Sequence, residues 1–265
     1  MVTVGIDCGA KETKALLIEG NKILAKYSVL SGFDQKYAAE EAFENILKKT
    51  GISREDITHI TSTGVGRKGA YFVNSSITEV GANAKGILFY YPSVRTVIDV
   101  GAEEGRAIKL DERGKVLDFA INEKCAAGAG IFTETMARAL EIKLEEMGEL
   151  SLKSQKPIPM NAQCAVFAES EVVSLIHSKT PKEDIARSIL DAIADRIASM
   201  VRRIGIEKDV ALTGGVAKNI GFVHSLKRDL QVELFIPENP EFICALGAAL
   251  IAAERALSPS KEGGE

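Results

Sequence analysis

The sequence predicts an α/β protein of two similar lobes with a cleft between them. Three observations carry that prediction. Strand-like and helix-like segments alternate in a definite order, a short motif recurs 92 residues downstream, and three glycine turns each follow directly on a strand.

Taken in chain order, residues 2–7, 13–18 and 22–29 read as three short strands separated by turns. A helix is expected at 36–50, a strand at 57–63 and a helix near 77–87. Strands recur at 94–100, 105–110 and 115–121. Helices then dominate, at 129–140, 144–149, 165–178 and 182–204. The chain closes with strand 209–213, helix 218–230, strand 233–236 and helix 242–256. Ser258 to Glu265 is polar and Gly-rich and reads as a frayed tail.

The repeat lies within this order. Asp7-Cys8-Gly9-Ala10-Lys11-Glu12-Thr13-Lys14-Ala15 matches Asp99-Val100-Gly101-Ala102-Glu103-Glu104-Gly105-Arg106-Ala107 at five of nine positions. In both copies an apolar strand runs into Asp-x-Gly, turns tightly, and leaves as a second strand. One residue of slippage then brings Lys22-Ile23-Leu24 onto Lys115-Val116-Leu117. Two copies of a three-strand meander, each followed by helices and strands, imply duplicated halves.

Composition narrows the function. Hydrophobic residues make up 46% and charged residues 26%, a globular profile that excludes disorder. The net charge of -4 speaks against a broad basic surface, so no nucleic-acid partner is expected. The longest nearly apolar run, Ile243 to Ala253, falls short of the roughly 20 residues a bilayer span needs. The opening MVTVGID has neither a basic n-region nor a cleavage site, so the expected location is cytoplasmic.

An Asp at a strand end followed by a Gly turn suits phosphate chemistry. Glycine lets the backbone approach closely, and its N–H groups can face phosphate oxygens. The carboxylates of Asp7 and Asp99 can hold Mg²⁺ through water or orient an attacking water. Lys14 would add positive charge. On one copy alone, an Asp capping an ordinary hairpin is the simpler account; two copies favour a site gripping a nucleotide's phosphates from both sides. A third turn, Leu212-Thr213-Gly214-Gly215-Val216-Ala217-Lys218-Asn219, has flat backbone on which a nucleoside can lie.

Other nucleotide motifs fail. The chain has no Gly-x-x-x-x-Gly-Lys-Ser/Thr, which excludes a P-loop ATPase. Gly64-Val65-Gly66-Arg67-Lys68-Gly69 matches a dinucleotide fingerprint and follows a strand. However, Lys85 to Arg95 offers no acidic residue for a ribose, and Arg67-Lys68 replaces the expected apolar helix start.

None of the four cysteines, Cys8, Cys125, Cys164 and Cys244, forms a Cys-x-x-Cys pair. Cys125 and Cys164 each follow a loop and precede a predicted helix, among small residues that leave room beside the sulfur. Unpaired N–H groups and the helix dipole there favour a thiolate. A zinc or iron–sulfur site normally takes four protein ligands, so two chains giving two thiolates each would complete the count. Residues alone leave two buried thiols and a subunit-bridging iron–sulfur site as open alternatives.

The repeat and the three glycine turns resemble the actin, sugar-kinase and chaperone-ATPase superfamily. That resemblance implies two ribonuclease-H-like lobes with ATP and Mg²⁺ in the cleft. The first lobe would span 1–90, completed by the C-terminal helix 245–257, and the second 91–244, which contains Cys125 and Cys164. Gly9, Ala10, Lys11, Thr13 and Lys14 would then form the first phosphate loop. Gly101, Ala102 and Glu103 would form the second, and Gly214, Gly215, Lys218 and Asn219 would meet the adenosine.

Cys125-Ala-Ala-Gly-Ala-Gly together with Cys164-Ala-Val-Phe-Ala-Glu-Ser-Glu is similar to the BadF/BadG/BcrA/BcrD ATPase family. The similarity runs from about residue 2 to 256. It implies an oxygen-sensitive [4Fe–4S] cluster held by Cys125 and Cys164 of two subunits, in a homodimer or a heterodimer with a related ATPase subunit. It also implies ATP/ADP, a ferredoxin-type electron donor, and acyl-CoA reductase or dehydratase catalytic subunits as partners. Family members that activate dehydratases typically carry Asp-x-Gly-Ser and Gly-Gly-Gln-Asp loops. Here these are Asp7-Cys8-Gly9-Ala10 and Gly101-Ala102-Glu103-Glu104, so an acid, Glu103, replaces the amide that would orient the attacking water. Gly101-Ala102-Glu103-Glu104-Gly105-Arg106 and Asn161-Ala-Gln-Cys164 look more like the smaller, delta-type ATPase subunit of benzoyl-CoA reductase. The expected function is therefore an ATP-hydrolysing electron-transfer subunit for reduction of an aromatic acyl-CoA. The close alternative is the activator of a 2-hydroxyacyl-CoA dehydratase. From other classes come a sugar or amino-sugar kinase and a non-catalytic regulatory ATPase.

Overall fold

The computed structural model describes residues 1–122, 130–156, 158–160 and 165–257. The chain forms two compact units, Met1–Pro92 together with the chain from Phe242 onward, and Ser93–Glu241.

In the first unit, β1 (Val2–Cys8), β2 (Glu12–Glu19) and β3 (Lys22–Leu30) form an antiparallel meander. Parallel to β1 runs β4 (Ile57–Thr63), and beside it the short β5 (Ser75–Ser76), giving the order β3-β2-β1-β4-β5. Successive residues of β1 alternate between two covered faces. Val4, Ile6 and Cys8 join a core with Ala39, Ala42, Phe43 and Ile46 of α1 (Gln35–Thr50). Thr3 and Gly5 meet α8 (Ile243–Leu257), where the Thr3 hydroxyl donates to Ala249 O at 3.0 Å. A Cβ on Gly5 would stand 2.0 Å from Ala245 O, so helix backbone rests directly on strand backbone. The same closeness joins α8 to α2 (Glu79–Tyr90), where a Cβ on Gly247 would lie 1.8 Å from Ala82 O.

The second unit repeats the sheet. Its meander is β6 (Thr96–Val100), β7 (Gly105–Leu110) and β8 (Val116–Asn122), followed by the parallel β9 (Val210–Thr213) and β10 (Leu234–Phe235). Its order β10-β9-β6-β7-β8 is that of the first sheet read from the other edge. The duplication therefore extends past the meander, making Thr63 and Thr213 equivalent strand ends. Between β8 and β9 lie α3 (Gly130–Ala139), α4 (Leu144–Leu152), α5 (Ala165–His177) and α6 (Lys182–Ile204). Ile185, Ile189, Ile193, Ile197 and Val201 give α6 a fully buried stripe at helical spacing. Each such side chain contributes about 1.5–3 kcal/mol by leaving water.

Some element bounds differ from those expected, and one strand is additional. The helix expected from 218 begins at Ile220, as α7 (Ile220–Leu230), because Asn219 is its cap and accepts from the Phe222 N–H at 3.0 Å. Gly215–Lys218 instead forms a 3₁₀ turn. Strand β5, two polar serines, carries no hydrophobic alternation by which to find it. Among the described residues, no helix is long and apolar enough to cross a membrane.

Candidate functional site

Both repeat copies end their first strand in a buried Asp, but the two are held differently. In the first unit Asp7 faces Lys14 across the β1–β2 register, and only 9% of its surface is exposed. The Lys14 ammonium leans toward Glu12, 3.5 Å from its carboxylate and 3.4 Å from its carbonyl. Ser31 fastens the loop from behind, with its N–H donating to Lys11 O at 2.9 Å and its hydroxyl to Gly9 O at 2.7 Å. Because that hydroxyl's hydrogen is committed to Gly9, Thr13 Oγ1 donates to Ser31 Oγ at 3.0 Å. Thr13 is wholly buried and so shapes the loop from beneath. Gly9, Ala10 and Lys11 form the turn itself, half-buried at the first two positions and exposed at the third.

In the second unit Arg106 faces Asp99 in register and donates from Nη1 to Asp99 Oδ2 at 3.0 Å. Its other nitrogen, Nη2, holds Glu104, and Thr213 Oγ1 donates to Asp99 Oδ1 at 3.1 Å. Glu103 is the exposed acid of this loop, whereas Glu104 is tied to the guanidinium. Of the two acids, Glu103 is therefore the one open to solvent.

The second half of each cradle lies outside the nine-residue repeat. Gly64 (φ 94°) and Gly214 (φ 87°) follow the equivalent threonines, and both adopt conformations that favour glycine. A Cβ on Gly64 would fall 2.4 Å from Cys8 O and 2.8 Å from Asp7 Oδ1. On Gly214 it would fall 2.3 Å from Val100 O and 2.8 Å from Asp99 Oδ1. The available signal is Thr-Gly closing a strand twice, which the fit of Gly64 to the dinucleotide pattern conceals. That pattern fails structurally as well, since Arg67–Gly69 is a 3₁₀ turn and the next helix begins at Glu79.

At the third turn, Gly214 N–H donates to Pro240 O at 3.0 Å, and a Cβ on Gly215 would meet nothing within 4 Å. Lys218 pairs with Glu241, and the Asn219 oxygen is spent on capping α7. Helix α3 starts against the second loop. The Gly130 and Ile131 N–H groups, donors that a helix N-terminus cannot satisfy internally, bond to Gly101 O and Ala102 O at 2.9 Å each.

Cys125 and Cys164, the expected cluster ligands, lie outside the described residues. Cys8 and Cys244 are buried thiols rather than disulfide partners. Cys244 Sγ accepts from Asn83 Nδ2 at 3.0 Å, and burial, reinforced by Asp7, pushes the Cys8 thiol up to about 12. Neither suits a metal-binding thiolate. Among the described residues no group of three or more His, Cys, Asp or Glu side chains comes together as a metal site. The donor set left to one chain is two thiols, which fits a cluster completed by a second chain and does not fit a four-thiolate site within one.

The Cys8 environment yields a pH prediction. In the unfolded chain the thiol ionises at its ordinary value of 9.0, whereas in the folded one it stays protonated to about 12. Stability is therefore intact below pH 9 and falls above it by up to about 1.4 kcal/mol per pH unit. Melting curves between pH 8 and 10.5 should fall less steeply for Cys8→Ala than for the wild type.

Like sheets that each end in an Asp-x-Gly loop, with a Gly-Gly turn after β9, define a protein of the two-lobe ATPase fold. An ROK-family glucokinase from Streptomyces griseus shares this fold alone, at TM-score 0.61 and 11% identity over 96% of this chain and 100% of that one. The model of the BadF/BadG/BcrA/BcrD ATPase family matches residues 4–252, and the chain belongs to that family. A 2-hydroxyisocaproyl-CoA dehydratase activator from Clostridioides difficile is 37% identical, over 99% of this chain and 98% of its own. A subunit of the benzoyl-CoA reductase from Thauera aromatica is 34% identical, over 96% of this chain and 94% of its own. The solved activator of the Clostridium difficile 2-hydroxyisocaproyl-CoA dehydratase, with bound ADPNP, superposes at TM-score 0.92 with 36% identity, covering 100% of this chain and 99% of that one.

Proposed function

We propose that this protein hydrolyses ATP to drive low-potential electrons into a partner acyl-CoA enzyme, as the activator of a 2-hydroxyacyl-CoA dehydratase. The activator reading is favoured over the reductase reading by the higher identity of the dehydratase activator. A second reading, the ATPase subunit of an aromatic acyl-CoA reductase, is favoured by the acidic loop Gly101-Ala102-Glu103-Glu104. In both, Asp7 and Asp99 organise Mg²⁺ and the phosphates, Glu103 orients water, and Gly214–Gly215 carries the nucleoside. Cys125 and Cys164 would hold, with a second chain's pair, a [4Fe–4S] cluster, and such a cluster would supply one-electron chemistry there. Val166, Phe167, Val173 and Ile176 on α5, just past Cys164, leave an apolar face exposed that suits contact between the two chains.

The observation that carries the coupling is the pair of hydrogen bonds from Gly130 and Ile131 to Gly101 and Ala102. Whatever moves the second loop pulls on α3, the helix that follows the Cys125 segment. Gly130→Pro removes one donor and sets its ring where that N–H met Gly101 O, so α3 parts from the loop at a position where helix starts accept proline. ATP turnover should stay within a few-fold, while electrons delivered per ATP fall several-fold. Unchanged coupling in this variant would reject the link.

A further inference from the structure

Beside the Gly-Gly turn stands an acid outside both phosphate cradles. Glu241 follows Pro240, whose carbonyl accepts the Gly214 N–H, so the acid is tied by backbone to the Gly-Gly loop. Its Oε1 is engaged by Lys218. Its Oε2 is cut off from solvent and meets no hydrogen-bond donor among the described residues. A buried carboxylate oxygen without a donor is costly and is tolerated where a donor arrives in the working state. Lys218, which holds the other oxygen of this carboxylate, is more than half exposed and can swing into water. Close by, Gly215 borders open space.

We infer that Glu241 is a specificity residue for the nucleoside, its Oε2 accepting a hydrogen from the 2′-hydroxyl of the sugar or from the exocyclic amine of the base. This inference rests on the reading of Gly214–Gly215 as the nucleoside loop. A carboxylate only accepts, so it rewards a ligand that donates at that point and discriminates against one that lacks the donor. Guanine presents a carbonyl where adenine presents its amine, and a 2′-deoxyribose lacks one hydroxyl.

The test measures equilibrium binding of ATP, 2′-deoxy-ATP and purine riboside triphosphate to the full chain, for the wild type, Glu241→Ala and Gly215→Val. The wild type should bind one analogue about tenfold or more weakly than ATP, as expected for a hydrogen bond to a charged group. A deficit for 2′-deoxy-ATP assigns the sugar, and one for purine riboside triphosphate assigns the amine. Glu241→Ala should weaken ATP to the level of that analogue and leave the analogue itself unchanged. If Glu241→Ala preserves the wild-type preference while Gly215→Val, folded by its melting curve, loses all three nucleotides, the inference fails and the loop assignment stands. If Gly215→Val binds ATP as the wild type does, the loop assignment fails and takes the inference with it.

Discussion

Asp99→Asn lowers ATP turnover by roughly a hundred- to thousandfold, the cost typical of removing one preorganised polar group from a reacting centre. The substitution keeps the shape and removes the charge that Arg106 and Thr213 hold in place. Glu104 still engages the guanidinium, so Arg106 is not left as an unpaired buried charge, and the folded state survives. Asp7→Asn, at the equivalent strand end, is expected to cost a similar factor. Steady-state hydrolysis, read beside a melting curve for each variant, checks both. Undiminished turnover in both variants would remove the two aspartates from the reaction.

Cys125→Ser or Cys164→Ser removes the iron, the second large effect. Anaerobically prepared wild-type protein should be brown and hold about four irons per subunit pair, as one [4Fe–4S] cluster requires. Serine presents no thiolate, and losing two of four ligands across a pair leaves too few to retain the cluster. Cys8→Ser and Cys244→Ser should keep the iron, because one thiol is buried and strongly disfavours ionisation and the other is engaged by Asn83. Exposure to oxygen should release the iron and weaken subunit association together. Full iron occupancy in the Cys125/Cys164 double variant would exclude the ligand assignment.

Much of this architecture is legible in the sequence because periodicity and duplication are local signals. The Asp7 and Asp99 copies align without gaps, and the buried stripe of α6 is a plain helical pattern. What escapes depends on contacts between distant segments. Thr213 reaches Asp99 from 114 positions away, and Ser31 secures Gly9 from 22 away. The sequence speaks against a dinucleotide turn at Gly64, but its role as a cradle for Asp7 emerges only when β4 is paired with β1. Lys218 and Asn219 illustrate the converse. Their proximity to Gly-Gly suggests nucleotide contacts, yet the fold engages one with Glu241 and the other as a helix cap.

The central claim, that ATP acts on the electron carried by this protein, is tested most directly by redox titration of the anaerobically prepared, iron-loaded chain with and without MgATP. The midpoint potential should shift when MgATP is present, in the wild type and not in Asp99→Asn. The same potential with and without nucleotide in the iron-loaded wild type would contradict that claim.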